Sequence, residues 1–258
     1  VYGAEFTEIS DLVYRGRGKD YRAEAEYVGG LVRERKPDAD ALLDVGCGTG
    51  AHLEAFGESF GTVAGLDFSA DMIAAASAKG LRADLYRADM CDFDLGRSFD
   101  VVTCMFGSIG HPGSVAGLTD ALRCFARHLV PGGVAAVDPW WFPETFLDGF
   151  VSGDVVTEGE RTVARVSHSV RDGDSSRMTV HYTVADRGSG IRHFAETYVA
   201  RLFTRKEYET AFEDAGFDVE YIEGVHRGRG LFLALRRPAP AGSTQPAGST
   251  ASTGSTED

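Results

Sequence analysis

The chain has 258 residues, 43% of them hydrophobic, and carries 26 lysines and arginines against 39 aspartates and glutamates, a net charge of −13. That length and composition suit a soluble α/β domain with ample core, and the acidic balance argues against nucleic acid or an anionic membrane as a partner. No apolar run nears the roughly twenty residues that span a bilayer, Glu5, Glu8 and Asp11 interrupt the opening apolar positions where a signal peptide would not, and Cys47, Cys91, Cys104 and Cys124 lack a CxxC pair, so buried thiols in a reducing cytoplasm are expected.

Residues 1–36 predict two helices. From Asp20 to Val32 apolar residues recur at helical spacing with charges opposite. The basic, glycine-rich link from Tyr14 to Asp20 separates this helix from the one before it. Helices ahead of the first strand do not extend a sheet, so both are expected to form a lid over a ligand cleft. Tyr2, Phe6 and Tyr14 then either face a ligand or pack the lid; the residues leave both readings open.

Strands follow at Ala41–Val45, Thr62–Leu66, Asp84–Arg87, Val101–Met105 and Val134–Val137, and helices at His52–Phe60, Ala70–Lys79 and Val115–Leu129. Ser69 with Asp71 supplies an N-cap and an early acid for the second of these helices. Pro131-Gly132-Gly133 is expected to end the third and turn into the fifth strand. This alternation predicts a parallel sheet with helices on both faces and a ligand at the carboxyl ends of the strands. Residues 139–203 break the pattern with alternating runs and a hairpin turn at Arg171-Asp172-Gly173-Asp174, an antiparallel β insert too long for a loop and placed near the cleft. A helix at Arg205–Ala215 and strands at Val219–Ile222 and Gly230–Leu235 complete a single domain over 1–237. The proline-, glycine-, serine- and threonine-rich residues 238–258 predict a disordered tail.

The chemistry converges on Leu42-Leu43-Asp44-Val45 and the glycines that follow, Gly46, Gly48 and Gly50. Glycine lets the backbone turn sharply and approach a ligand closely, and amides opening a helix point outward as donors. Asp67, at the end of the next strand, can take both hydroxyls of a ribose. Gly46-x-Gly48-x-x-Ala51 also satisfies a dinucleotide fingerprint, so a nicotinamide-dependent oxidoreductase is one rival, and a non-catalytic sugar-nucleotide or protein-binding module is another. Asp44 two residues before Gly46, and a third acid at Asp89 after the third strand, favour S-adenosylmethionine; no Tyr-x-x-x-Lys constellation supports hydride transfer. The seven histidines form neither HxxxH nor HExxH, so no metal is expected.

Five blocks carry a more specific likeness: Tyr14-Arg-Gly-Arg-Gly-Lys-Asp-Tyr21, Cys104-Met-Phe-Gly-Ser-Ile-Gly-His111, Pro139-Trp-Trp-Phe-Pro-Glu-Thr145, Val166-Ser-His-Ser-Val-Arg171 and Gly228-Arg-Gly-Leu-Phe232. Together they resemble the N,N-dimethyltransferases of nucleotide-linked amino sugars, actinobacterial enzymes that finish desosamine- and mycaminose-type sugars for macrolide antibiotics. The resemblance runs from residue 2 to about residue 235, and departs at Ser10, where some members have a tyrosine. It implies the class I methyltransferase (Rossmann-like) fold, with the insert lying over the sugar nucleotide and often mediating a homodimer. It implies S-adenosyl-L-methionine held by Gly46, Gly48, Asp67 at the ribose, Asp89 and Met90 at the adenine, Met105 on the base and Tyr21 at the carboxylate. The acceptor implied is a TDP-linked aminodeoxyhexose, its amine at C3 or C4, contacted by Tyr2, Tyr14, Trp141, Ser167, Ser169 and Arg229. His111, with Tyr2 assisting, is the expected catalytic residue near the amine, where two successive methyl transfers take place.

Overall fold

The computed structural model describes residues 3–238; Tyr2 and the residues expected to form the tail beyond Pro238 lie outside them. Two helices, α1 (Ala4–Gly16) and α2 (Tyr21–Arg35), precede β1 (Ala41–Val45), α3 (Ala51–Phe56), β2 (Thr62–Asp67), α4 (Ala70–Ala78), β3 (Ala83–Arg87), β4 (Phe99–Cys104), α5 (Val115–His128) and β5 (Leu129–Val137). The insert supplies β6 (Phe150–Glu158), β7 (Arg161–Asp172), β8 (Ser175–Asp186) and β9 (Gly190–Arg201), and α6 (Arg205–Asp214), β10 (Phe217–Ile222) and β11 (Leu231–Arg236) complete the chain.

Seven strands form one sheet in the order β10-β11-β5-β4-β1-β2-β3. Its pairings are parallel except those of β11, which runs antiparallel to both β5 and β10, so the sheet is mixed where the alternation predicts a parallel one. β1 lies between β2 and β4, the reversal of strand order beside which such sheets bind ligands. Period-two alternation along β1 sends Leu43 and Val45 toward α5 and α6, where they meet Leu122, Phe125 and Phe212. Leu42 points the other way, toward Val28 and Val32 of α2 and Phe56 of α3.

That packing narrows the lid. α2, capped where Asp20 accepts the Ala23 amide at 2.9 Å, buries its apolar stripe on the sheet as a layer of the core and reaches the cleft only through Tyr21 at its head, whereas α1 covers the cleft with Phe6, Ser10, Asp11 and Tyr14. α1 buries Phe6, Ile9 and Val13 at helical spacing against Val163, Val180, Tyr182 and Phe194 of the insert and Met72 of α4. Full burial of a side chain such as Phe6 stabilises this contact by about 2–3 kcal/mol.

The insert is a four-stranded antiparallel sheet, β6-β7-β8-β9, whose central hairpin turns through Gly173 (φ 61°) and Asp174. Two local expectations shift. α3 ends at Phe56 rather than Phe60, and α5 passes directly into β5 at Leu129. Pro131-Gly132-Gly133 is therefore absorbed inside β5, where the register against β4 slips between Phe99 and Val101. Leu129 already has extended backbone (ψ 146°), which leaves the proline no helix to end. The four cysteines are free thiols, and among the described residues no helix is long and apolar enough to cross a membrane.

Candidate functional site

A cleft of about 570 Å³ opens at the carboxyl ends of β1, β2, β3 and β4, beneath α1. Its floor is the turn leaving β1. Gly46 and Gly48 hold φ of 75° and 56°, and the Gly46 amide donates to the Leu66 carbonyl at 2.7 Å. A Cβ on Gly46 would stand 2.8 Å from the Ser108 Cβ, so both conformation and space demand glycine there. Asp67 fixes the far side of the turn: its Oδ2 accepts the Gly48 amide at 2.9 Å and its Oδ1 the Ser69 amide at 2.8 Å. Burial raises the pKa of this carboxyl, and the two amides oppose the rise.

Behind the turn, fully buried Asp44 accepts the Thr103 hydroxyl at 2.8 Å, and burial lifts its pKa to about 6. Asp89, steadied by the Cys91 amide at 2.9 Å, lines the cleft beside Met90, and Met105 presents a side chain that is also packed into the core. Tyr21 stands edge-on to His52, with ring centroids 4.8 Å apart. Glu24, bonded to His52 at 3.0 Å and Lys19 at 2.5 Å, anchors this corner. Burial disfavours the Glu24 carboxylate, yet these partners hold its pKa down to about 2. The glycine cradle that a Cβ would fill, the acids at successive strand ends and the apolar Met90 and Met105 fit an adenosine-bearing cofactor such as S-adenosyl-L-methionine.

His111 follows a short 3-10 turn (Ser108–Gly110) and opens onto the same cleft. Its side chain reaches solvent, yet the protein around the ring lowers its pKa, with Asp67 and a hydrogen bond to Val199 opposing. Tyr14, Tyr21, Gly46, Gly48, Asp67, Asp89, Met90, Met105 and His111 thus line one space. Ser10 lines it too, but donates its hydroxyl to the Thr7 carbonyl at 3.1 Å.

Trp141, Ser167, Ser169 and Arg229 are not part of that lining. Phe106 meets Tyr14 edge-on at 5.0 Å and lies 5.3 Å from the Arg229 guanidinium, which also faces Trp140 at 5.7 Å and Trp141 at 5.9 Å. Ser167 and Ser169 sit on the inner face of β7, and Ser167 accepts Arg165 Nη1 at 3.0 Å. Arg165 and Arg17 share Asp154, at 3.7 Å and 2.8 Å, so two cations meet one anion.

Several of these residues escape the sequence reading. Arg165 has a signal: alternation in Val163-x-Arg165-x-Ser167-x-Ser169 places it on the serines' face. Asp11 has none; it clasps α1 to the glycine turn by accepting the Thr49 hydroxyl and to the end of α4 by accepting the Lys79 ammonium, each at 2.6 Å. Thr197 and Tyr198 reach the cleft from β9 only because of how the insert folds back.

Comparison with known proteins places the site in a wider setting. The Methyltransferase domain family matches residues 42–133. The chain is 53% identical over 235 residues to the dTDP-3-amino-3,4,6-trideoxy-alpha-D-glucopyranose N,N-dimethyltransferase of Streptomyces venezuelae, covering 91% of this chain and 99% of that one. It is 48% identical to the dTDP-4-amino-2,3,4,6-tetradeoxy-D-glucose N,N-dimethyltransferase of Saccharopolyspora spinosa, covering 92% and 94%. Among solved structures, a SAM-bound amino pentose methyltransferase from Micromonospora echinaspora superimposes with a TM-score of 0.82 at 47% identity, covering 88% of this chain and 96% of that one.

Proposed function

Because the chain belongs to the dTDP-aminosugar N,N-dimethyltransferases, we propose that its site is divided into a cofactor half at the glycine turn and an acceptor half at the Phe106–Arg229 wall. The enzyme transfers methyl groups from S-adenosyl-L-methionine to the amino group of a TDP-linked deoxyaminohexose, twice in succession, giving the N,N-dimethylamino sugar of an antibiotic pathway. In the cofactor half, Gly46 and Gly48 admit the methionine portion, Asp67 takes the ribose, Asp89 and Met90 the adenine, Met105 packs on the base, and Tyr21 reaches the carboxylate. The bound cofactor supplies an electrophilic methyl group.

His111 accepts a hydrogen bond from the acceptor amine, aims its lone pair, and relays its proton toward the open side of the cleft. The lowered pKa supports this role, since only the neutral imidazole accepts. Tyr2, outside the described residues, assists in orientation. Holding both reactants in one cleft contributes several kcal/mol to the rate without a covalent intermediate. Tyr14 and Trp141 pack against the sugar nucleotide, Ser167 and Ser169 offer hydroxyls, and Arg229 meets the pyrophosphate with its fixed donor fork. A second copy pairing on the outer face of the insert is supported by the exposed Val155, Val166 and Ile191; size-exclusion mass measurement tests it.

The observation that carries the acceptor assignment is Phe106, which faces Arg229 while lining the cleft that holds His111. Relatives act on 3-amino and on 4-amino sugars, so the test is a panel of both dTDP sugars with product mass as the readout. Addition of one and then two methyl groups to a panel member is expected. Methylation of free amines with every nucleotide sugar ignored overturns the reading.

A further inference from the structure

Among the described residues only two that are not glycine hold left-handed backbone, Phe106 (φ 61°) and His226 (φ 49°). Such backbone costs about 1–3 kcal/mol for a residue with a Cβ and persists where its surroundings fix it. One carboxylate fixes both. Asp138, fully buried at the carboxyl end of β5, accepts the Phe106 amide on Oδ2 at 2.9 Å and the His226 ring on Oδ1. On the histidine the contact is made through Nδ1. Asp138 is itself tied down, its amide donating to the Cys104 carbonyl at 2.9 Å, so the tether is rooted where β4 and β5 end.

The two tethered loops are the ones the acceptor half is made from. Phe106 begins the turn that leads to Ser108 and His111. His226 opens the turn that carries Arg229, flanked by Gly228 (φ 84°) and Gly230 (φ 77°) and closed by amides of both glycines donating to the Val225 carbonyl. Glycines on both sides of Arg229 add backbone freedom that these hydrogen bonds only partly remove. His226 gives this turn a direct side-chain tether to the end of β5, and Tyr221 Oη donates to the Arg229 carbonyl from β10 at 2.9 Å. We infer that Asp138 and His226 are a positioning clamp: one buried carboxylate registers the Arg229 turn against the Phe106 turn and so sets affinity for the acceptor's pyrophosphate. The clamp rests on the assignment of Arg229 to that pyrophosphate.

His226→Gly removes the ring without straining the backbone at φ 49°, and the asparagine variant below, which keeps a side chain there, separates loss of the ring's contact from the backbone freedom glycine adds. The KM for a dTDP-aminosugar rises tenfold or more, kcat at saturation stays within about threefold, and S-adenosylmethionine affinity stays within about twofold, which also reports an intact fold. His226→Asn, which tolerates left-handed backbone and can donate an amide N–H to Asp138, restores most of the loss. Arg229→Ala raises the same KM, and adding His226→Gly to it raises KM no further. An unchanged KM in His226→Gly while Arg229→Ala raises it overturns the clamp and leaves the acceptor assignment standing. Equal losses of acceptor affinity, kcat and cofactor affinity in His226→Gly, unrescued by asparagine, also overturn it. An unchanged KM in Arg229→Ala removes Arg229 from the acceptor site, and the clamp with it.

Discussion

The glycine turn and the Phe106–Arg229 wall adjoin each other in the fold and are built in opposite ways. The first is local: Gly46, Gly48, Asp67, Asp89 and Met90 come from three successive strand ends of one sheet, and their geometry is mostly backbone geometry. The second is assembled across the chain, from the α1–α2 link, the turn after β4, β7 of the insert and the turn before β11. It is held by side-chain contacts. The difference predicts two kinds of sensitivity. Backbone turns at positive φ tolerate little, whereas a wall of many contacts loses affinity in graded steps.

Gly46→Ala probes that contrast at its largest. The new Cβ meets Ser108 at 2.8 Å on backbone at φ 75°, and calorimetry should show cofactor affinity lower by a hundredfold or more. A loss under tenfold would make the turn as forgiving as the wall.

The acid behind the turn gives the next largest effect. Asp44 has a folded pKa of about 6, above its unfolded value near 4, so the folded state binds the extra proton between those limits. Stability from this group is therefore greatest below about pH 4, falls as pH rises to about 6, and is flat above. Asp44→Asn keeps an acceptor for Thr103 and should stabilise the protein above pH 6 by on the order of 2–3 kcal/mol. Thermal melts across that range check it; a variant less stable than the parent at pH 7.5 would show that the charge is compensated.

His111 lies where the two halves meet. His111→Asn should slow kcat by about ten- to a hundredfold with cofactor affinity unchanged. Because the protein around the ring lowers the imidazole pKa, the ring protonates only below its ordinary value of about 6.5, and the acidic fall in kcat/KM should begin correspondingly lower. Rates equal to the parent from about pH 6 to 9 would leave positioning alone as the source of catalysis. Smallest is Ser169→Ala in the wall, where the loss of one hydrogen bond of about 1 kcal/mol should raise the acceptor KM by roughly fivefold or less. A hundredfold rise would erase the contrast between graded wall and strict turn.

The same division governs what the sequence discloses. β1, β2 and the glycine turn are legible because apolar runs, spacing and punctuation are local, and the predicted start of β1 coincides with Ala41. The insert's hairpin is legible from alternation around Gly173. Strand direction has no such signature, so the antiparallel β11 reads like any buried strand. The stripe Ala25, Val28 and Val32 looks alike on a helix over a cleft and on one over a sheet, which is why α2 reads as lid. Asp138 and His226 stand 88 residues apart, and nothing near either announces the other.

The most direct test is a crossed titration of S-adenosylmethionine and dTDP into the parent, Asp67→Asn and Trp141→Ala. Two separately built halves predict that Asp67→Asn weakens S-adenosylmethionine about tenfold or more and leaves dTDP within about twofold, while Trp141→Ala does the reverse. Either variant weakening both ligands by the same factor would contradict the division.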